Sequence, residues 1–160
     1  MKIGVISDTH LSAPDKAIQR VISEVFDGIS LILHAGDITR LNVLEAFAGK
    51  QVIGVCGNMD HSEVVHTLPK KRIISMEGYR IGLIHGWGSS TGIEDRIQDQ
   101  FDAVHAIVYG HTHKPANHIK NGILMFNPGA FSGSFPMRHN PSAGILTIDD
   151  EGIHGSIVQL

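Results

Sequence analysis

The sequence predicts an α/β fold in which two β-sheets pack face to face and helices cover their outer surfaces. Three observations support this prediction. The first third of the chain alternates short apolar runs with helical patterns, which is typical of a parallel sheet. The rest contains pairs of apolar runs joined by short turns, which is typical of hairpins. Five apolar runs end beside Asp, Asn or His, and ligand-binding groups gather at the carboxyl ends of strands in open α/β sheets.

The first half of the chain is predicted to alternate strands and helices. Short apolar runs bounded by turn residues predict three strands, at Lys2–Ile6, Leu31–Leu33 and Val52–Val55. Apolar positions spaced by three and four residues predict a helix from near Pro14 to about Phe26. A short helix is expected at Asn42–Ala48. Such a βαβαβ order requires parallel strands with right-handed crossovers.

The second half is predicted to be rich in hairpins. The turn signals are Glu77-Gly78, Asn121-Gly122 and the segment Asp149–Gly152. The strands flanking these turns are expected at Arg72–Met76, Tyr79–Ile84, Ala116–Ile119, Ile123–Phe126, Gly144–Ile148 and Ile153–Val158. Between the first two hairpins, a helix is expected at Ile93–Phe101 and a buried strand at Val104–Val108. With no linker or repeat, a single domain over residues 1–160 is expected.

Composition excludes several classes of function. With 160 residues, 42% hydrophobic and 18% charged, the chain can form a full core, so disorder is not expected. The net charge of -3 argues against a dedicated nucleic-acid surface. The single cysteine, Cys56, excludes an internal disulfide and is expected to fill the core. No apolar run suits a membrane span or a secretory leader, so a cytoplasmic protein is expected, with a homodimer or higher homo-oligomer left open.

The polar residues at the strand ends are of the kinds that bind divalent metals. They are Asp8, His10, Asp37, Asn58, His85, His111 and His113. If the segments are extended, Asp8 and His10 point to the same side and can reach one ion together. The same holds for His111 and His113. Oxygen and imidazole ligands without a thiolate favour Mn, Fe, Ni or Zn over Ca or Mg. Seven ligands exceed the needs of one tetrahedral ion, which indicates two ions and a bridging carboxylate.

The ordered motifs resemble those of the calcineurin-like metallophosphoesterases. They are Asp8-x-His10, Gly36-Asp37, Gly57-Asn58-x-Asp60, His85-Gly86 and Gly110-His111-x-His113. The short length and the Asn127-Pro128-Gly129 loop resemble the small bacterial and archaeal phosphodiesterase branch, which is related to the retromer subunit. The resemblance implies a four-layer α/β/β/α sandwich of two mixed sheets flanked by helices.

The resemblance also implies a binuclear site. One metal would be held by Asp8, His10, Asp37 and His113, and the other by Asp37, Asn58, His85 and His111, with Asp37 bridging. The expected function is a metal-dependent phosphodiesterase for small phosphate esters, with a metal-bridging hydroxide and manganese as the favoured ion. Asn58, Asp37 and His85 are expected to be catalytic. Asn127 and Arg138 are candidate substrate contacts, although each could equally be a turn or surface residue.

Alternative functions follow from the same family. Met59 stands where many relatives carry a histidine that assists the leaving group, and His61 could substitute for it or be an ordinary loop residue. A phosphomonoesterase and a non-catalytic protein-interaction scaffold of the same fold are the alternatives. Loss of ligand residues would indicate the scaffold, and none of the seven is missing. A nuclease is disfavoured by the acidic charge balance.

Three further residues near the motifs have expected roles. Strand alternation points His34 away from Asp37, so His34 is expected to be structural. Asp60 completes a motif but is expected to orient its loop rather than bind metal. Trp87 could line the pocket or pack in the core.

Overall fold

Two mixed five-stranded sheets form the framework of the described residues, 1–131 and 140–160, in a computed structural model of the chain. In chain order the strands are β1 (Lys2–Ile6), β2 (Leu31–His34), β3 (Gln51–Gly54), β4 (Lys71–Met76), β5 (Tyr79–Ile84), β6 (Ala106–Val108), β7 (Ala116–Lys120), β8 (Ile123–Asn127), β9 (Ser142–Asp149) and β10 (Gly152–Gln159). The helices are α1 (Lys16–Glu24), α2 (Ser62–Thr67) and α3 (Ile93–Gln98), with a 3-10 helix at Leu41–Phe47.

The strand order explains how distant motifs meet. The first sheet has the order β10-β9-β1-β2-β3, in which β1, β2 and β3 run parallel. The second sheet has the order β4-β5-β6-β8-β7, with β5, β6 and β8 parallel at its centre and an antiparallel strand at each edge. Both sheets are mixed, as predicted.

Strand alternation divides the apolar side chains among three cores. Val5 and Leu33 point between the two sheets, where they share a core with Leu83 and Val108 of the second sheet. The intervening residue of β2, Ile32, points outward and packs with the side chains of α1 and the 3-10 helix. A third core packs the second sheet against α3. The predicted four-layer α/β/β/α sandwich is therefore confirmed.

Helix α1 is shorter than predicted, and a side-chain cap sets where it begins. The Oδ1 atom of Asp15 accepts a hydrogen bond from the Ala17 amide at 2.6 Å and caps the helix. Ile18 and Val21 form its buried face. None of the helices in the described ranges has the length and apolarity needed to cross a membrane.

Two other helical predictions need correction. The segment predicted as a helix at Asn42–Ala48 is a 3-10 helix, and helix α3 ends at Gln98 rather than Phe101. Helix α2 was missed altogether. It buries only Val64, so its six residues carry no apolar periodicity that a sequence pattern could register.

The three predicted hairpins are confirmed, and the turns of the first two share one backbone conformation. Glu77 and Gly78 have φ of 47° and 80°, and Asn121 and Gly122 have φ of 53° and 78°. Two consecutive residues with positive φ are the requirement of the type I′ turn, whose twist matches that of the flanking strands.

Candidate metal centre

The most deeply buried part of the site lies where the loops after β1, β2 and β5 meet. The Nε2 atom of His85 lies 3.3 Å from Oδ2 of Asp37 and 3.9 Å from Oδ1 of Asp8. All three side chains are almost completely buried. Their ligand atoms lie within 4.8 Å of one another, which is the spacing of groups that share one metal ion.

A second group of three shares Asp8 with the first. The Nε2 atom of His113 lies 3.2 Å from Oδ1 of Asp8 and 3.2 Å from Nε2 of His10. The same atom of His10 lies 3.7 Å from Oδ2 of Asp37. Asp8, His10 and His113 are also close enough to hold one ion. The carboxylate common to the two groups is therefore that of Asp8, and the bridging role of Asp37 stays a prediction.

Asn58 and His111 are paired with each other beside these groups. The Nδ1 atom of His111 lies 2.8 Å from Oδ1 of Asn58, and its Nε2 atom lies 2.8 Å from the carbonyl oxygen of Gly88. The ring of His111 packs edge-on against that of His85, with centroids 5.3 Å apart. The structure thus brings five of the seven predicted ligands into two metal-sized groups and holds the other two at their edge.

The ligand atoms fit a divalent cation because hydrogen-bond acceptors face one another without a donor between them. The Nδ1 atom of His85 donates to the carbonyl of Ala35 at 2.7 Å, since a carbonyl can only accept. Nε2 of a neutral His85 is then a lone pair that faces carboxylate oxygens. This atom and Oδ1 of Asp8 are buried and have no partner in hydrogen-bond geometry among the described residues. A cation or a proton between them removes that conflict.

The pKa values of these histidines and of Asp37 are shifted by the same contacts. Burial alone would lower the pKa of His85, but Asp37 and Asp8 outweigh it, so its pKa is raised. Asp8 also raises the pKa of His113, against the effect of burial. Burial would raise the pKa of Asp37, but His85 and the Met59 amide outweigh it, so its pKa is lowered. The centre therefore stabilises the ionised form of Asp37 and attracts positive charge.

The direction of the ligand side chains is set by left-handed backbone rather than by extended backbone. The predicted ligands with positive φ are Asp8 (53°), His10 (49°), Asp37 (54°), His111 (68°) and His113 (58°). Such a conformation is costly for residues other than glycine and clusters at functional sites. The predicted extended backbone is therefore wrong, although Asp8 and His10 do lie within reach of one ion as predicted. The other predicted pair separates. His111 faces Asn58, whereas His113 faces Asp8.

Motif glycines allow the close approach of the loops. A Cβ atom on Gly57 would lie 2.2 Å from Oδ1 of Asp37, and one on Gly110 would lie 2.0 Å from Oγ of Ser7. Neither contact is sterically possible without movement of the site. These glycines are therefore required by the packing of the ligands themselves.

Several supporting residues lack a sequence signal because they act through the backbone or a short polar side chain. The Met59 amide donates to Oδ1 of Asp37 at 2.8 Å, whereas its side chain is exposed. The Ser7 hydroxyl donates to Oδ2 of Asp8 at 2.6 Å. Asp60 accepts from the amides of Thr39 and Gly57, so it orients its loop as expected.

Two residues, Asn127 and Arg138, were predicted as candidate substrate contacts. Asn127 is fully buried: its Nδ2 donates to the carbonyl of Gly110 at 2.9 Å, and its Oδ1 accepts from the amide of Gly129 at 2.9 Å. In the structure Asn127 therefore anchors the loop that carries His111 and His113, and a contact of Asn127 with substrate stays a prediction. Arg138 lies outside the described residues.

His34 and Trp87 occupy opposite environments. His34 is fully buried, where its Nδ1 accepts from the amide of Gly36 at 3.2 Å and its Nε2 lies 3.3 Å from the hydroxyl of Thr9. Its structural role is confirmed, and burial lowers its pKa to about 3. Trp87 is 43% exposed and lines a cavity, so it is not a core residue.

Known proteins share both this sequence pattern and this fold. The family model of the calcineurin-like phosphoesterase superfamily domain matches residues 1–151. The chain is 36% identical over 164 residues to a probable metallophosphoesterase of Methanothermobacter thermautotrophicus, covering 99% of this chain and 92% of the relative. It is 29% identical over 161 residues to a phosphodiesterase of Methanocaldococcus jannaschii, covering 91% and 92%. Vps29 of Entamoeba histolytica, solved in complex with zinc, is 25% identical with a TM-score of 0.68, covering 99% of both chains.

These similarities extend over nearly the whole chain and agree with the two-sheet architecture and the clustered ligand residues. The chain therefore belongs to the calcineurin-like phosphoesterase superfamily.

Proposed function

We propose that this protein is a metal-dependent phosphodiesterase that hydrolyses small phosphate diesters at a centre of two divalent cations. The observation that carries the proposal is the convergence of Asp8, Asp37 and His85 in a buried site. There, Oδ1 of Asp8 and Nε2 of His85 lack hydrogen-bond partners among the described residues. Buried unpaired acceptors are costly, and such groups are kept where they bind an ion.

The ligands of the first cation would be Asp8, His10, Asp37 and His113. Those of the second would be Asp37, Asn58, His85 and His111. The distances within the two groups of three support most of this assignment. Asn58 and His111 would exchange their mutual hydrogen bond for the second cation. Manganese is the proposed ion, because hard oxygens and imidazoles form the set, and zinc, iron and nickel suit the same ligands.

The cations, when bound, would activate water for attack on phosphorus and withdraw charge from the phosphoryl oxygens. The chain's own residues prepare the site for this chemistry. Ala35 fixes the tautomer of His85 through Nδ1, and His85 together with the Met59 amide favours the ionised form of Asp37. Asn58 is exposed at the mouth of the site, so its Nδ2 can donate to a phosphoryl oxygen while its Oδ1 faces the ligands.

A diester preference is proposed on two grounds. The relative from Methanocaldococcus jannaschii is a phosphodiesterase and matches along 91% of this chain. Met59, in place of a histidine, offers no proton to a poor leaving group, which favours esters whose leaving groups depart without one. Activated aryl diesters such as bis-4-nitrophenyl phosphate meet this condition.

The test is reconstitution of metal-free protein. Protein stripped by a chelator is loaded separately with Mn, Fe, Ni or Zn, and release of 4-nitrophenolate is measured from bis-4-nitrophenyl phosphate and from 4-nitrophenyl phosphate. We expect turnover only with metal, most with manganese, and faster for the diester. A faster monoester would indicate a phosphomonoesterase. If no metal gives turnover of either ester, the proposed hydrolase is contradicted, and the non-catalytic protein-interaction scaffold is the remaining hypothesis.

A further inference from the structure

A cavity of about 570 Å³ opens directly from the metal centre. Its lining includes Asn58 and His85 of the metal centre. It also includes three residues that are not predicted ligands, Val65, Lys70 and Trp87, which are called the far wall below. A phosphate ester held at the centre would therefore have one of its two substituents at the mouth of this space. None of the site's predicted chemistry uses the far side of the cavity.

The far wall presents apolar surface that is unusually open to water. Trp87 is 43% exposed and Val65 is 42% exposed, although both side chains are large and apolar. Burying such surface against a ligand is favourable in proportion to the area covered. An indole face also prefers a flat aromatic partner to an aliphatic one.

Trp87 is held in place by a residue outside the cavity. The guanidinium of Arg96 donates to the backbone carbonyls of Trp87 and Thr91, each at 3.0 Å, and also to that of Ser89. Because three carbonyls of this loop are held by one side chain, the loop is preorganised. Little conformational entropy of the loop is then lost when a ligand binds.

The charge of the wall is positive. Lys70 and Lys71 both line the cavity, and no Asp or Glu does so among the described residues. Lys71 donates to the carbonyl of Gln100 at 2.7 Å and lies over the ring of Phe101. Lys70 makes no hydrogen bond or ion pair with the described residues, so its ammonium group remains able to bind an anion.

We infer that this cavity binds an aromatic ester substituent of the substrate, with the ring against Trp87 and an acidic group on that substituent bound by Lys70. The inference rests on the proposed function and names its substrate class: diesters in which one substituent is aromatic and acidic. A small aliphatic substituent would leave Trp87 exposed and Lys70 unpaired.

The experiment compares three diesters that share the 4-nitrophenolate leaving group. Their other substituents are methyl, phenyl and 4-carboxyphenyl. Because these substituents also differ in intrinsic reactivity, the informative quantity is the change in the ratio of kcat/KM values caused by a substitution. We expect Trp87→Ala to lower the phenyl-to-methyl ratio about fivefold, mainly through KM, and Trp87→Phe to restore most of it.

Matched variants control for nonspecific effects. Ile119→Ala removes an apolar side chain that is 65% exposed on β7, and it should leave the phenyl-to-methyl ratio unchanged. Lys70→Gln should lower the carboxyphenyl-to-phenyl ratio about fivefold, as expected for loss of a charge-assisted contact. Lys16→Gln, at the exposed start of α1, should not change it.

A direct binding measurement separates this inference from the proposed function. Trp87 is the only tryptophan of the chain, so fluorescence excited selectively at tryptophan, and not at the two tyrosines, reports on the cavity. Titration of zinc-loaded protein with phenylphosphonate should give a saturable change in emission, and methylphosphonate a much smaller one. Equal responses, together with ratios unaffected by Trp87→Ala, would overturn the inference even if the diesters are hydrolysed. If no ester is hydrolysed, the proposed function fails while the fluorescence result still decides the cavity.

Discussion

The Nε2 atom of His85 faces Oδ2 of Asp37 at 3.3 Å, while the opposite ring nitrogen of His85 is bound to the carbonyl of Ala35. The ring is therefore fixed in one tautomer, with its lone pair directed at a carboxylate. Two acceptors at this distance attract only through a proton or a cation. This relationship favours a cation at this position, for which protons and metals would compete.

Asp37→Asn tests the centre most directly. The amide keeps the shape but removes the charge that both groups of histidines face, so we expect loss of bound metal and a fall in hydrolysis of at least about hundredfold. Metal content is measured by elemental analysis and activity with bis-4-nitrophenyl phosphate. Asp102→Asn, at an exposed position remote from the ligands, is the control. Full activity of Asp37→Asn would refute its proposed bridging role.

Metal affinity should depend on pH. The pKa values of His85 and His113 are raised by the neighbouring carboxylates, so protons occupy these nitrogens at a higher pH than on an ordinary histidine. Affinity should therefore fall as pH is lowered, starting above 6.5, by up to about tenfold per pH unit for each proton displaced. Equilibrium dialysis with manganese between pH 8 and 6 measures this effect, and an affinity that is constant over that range would contradict it.

The buried His34 should make the fold sensitive to acid. Burial lowers its pKa to about 3, against the opposing charges of Asp8 and Asp37, whereas in the unfolded chain it has its ordinary value of 6.5. Between these values the unfolded state binds more protons. The free energy of unfolding should therefore fall as pH falls through this window, by up to about 1.4 kcal/mol per pH unit from this residue.

Urea unfolding of metal-free protein at several pH values measures this contribution. His34→Asn keeps an acceptor for the Gly36 amide but does not titrate, so its stability should depend less steeply on pH than that of the unmodified chain. Parallel slopes for the two proteins would show that His34 is not the group responsible.

Arg96 should control the loop from Trp87 to Thr91. Arg96→Ala removes donors to three backbone carbonyls and should cost about 1–2 kcal/mol of stability. Since Gly88 of the same loop contacts His111, hydrolysis should also fall, by about tenfold. Hydrogen exchange of the loop and steady-state kinetics measure both effects. Arg20→Ala, which removes an exposed ion pair with Glu24 on α1, should change neither.

Local patterns were sufficient for most elements of the fold. The strand Lys2–Ile6 was predicted with its observed bounds, because its apolar run stops at a polar turn. The turn at Asn121-Gly122 was predictable because few residue pairs tolerate two positive φ angles in succession. Helix α2 was not predictable, since one buried side chain leaves no periodic signal.

The role of Asn127 shows what the sequence pattern left open at the site. Its position in a loop after a strand was compatible with a substrate contact or with a turn. Its Oδ1 bond to the Gly129 amide is the local bond of a turn, whereas its Nδ2 bond to the carbonyl of Gly110 requires the folded arrangement of β6 and β8. A single sequence contains the residue types that can make such bonds but not the partners that they choose.

The sequence by itself determined the α/β architecture, the order of the motifs and the kinds of side chain that meet at the centre, because periodicity and turn chemistry act over a few residues. Only the tertiary structure decided which ligands face one another. Asp8 joins His113, His111 turns to Asn58, and His85 faces Asp37. These pairings depend on strand order and on left-handed backbone at the ligands, which are stabilised by contacts between residues far apart in the chain.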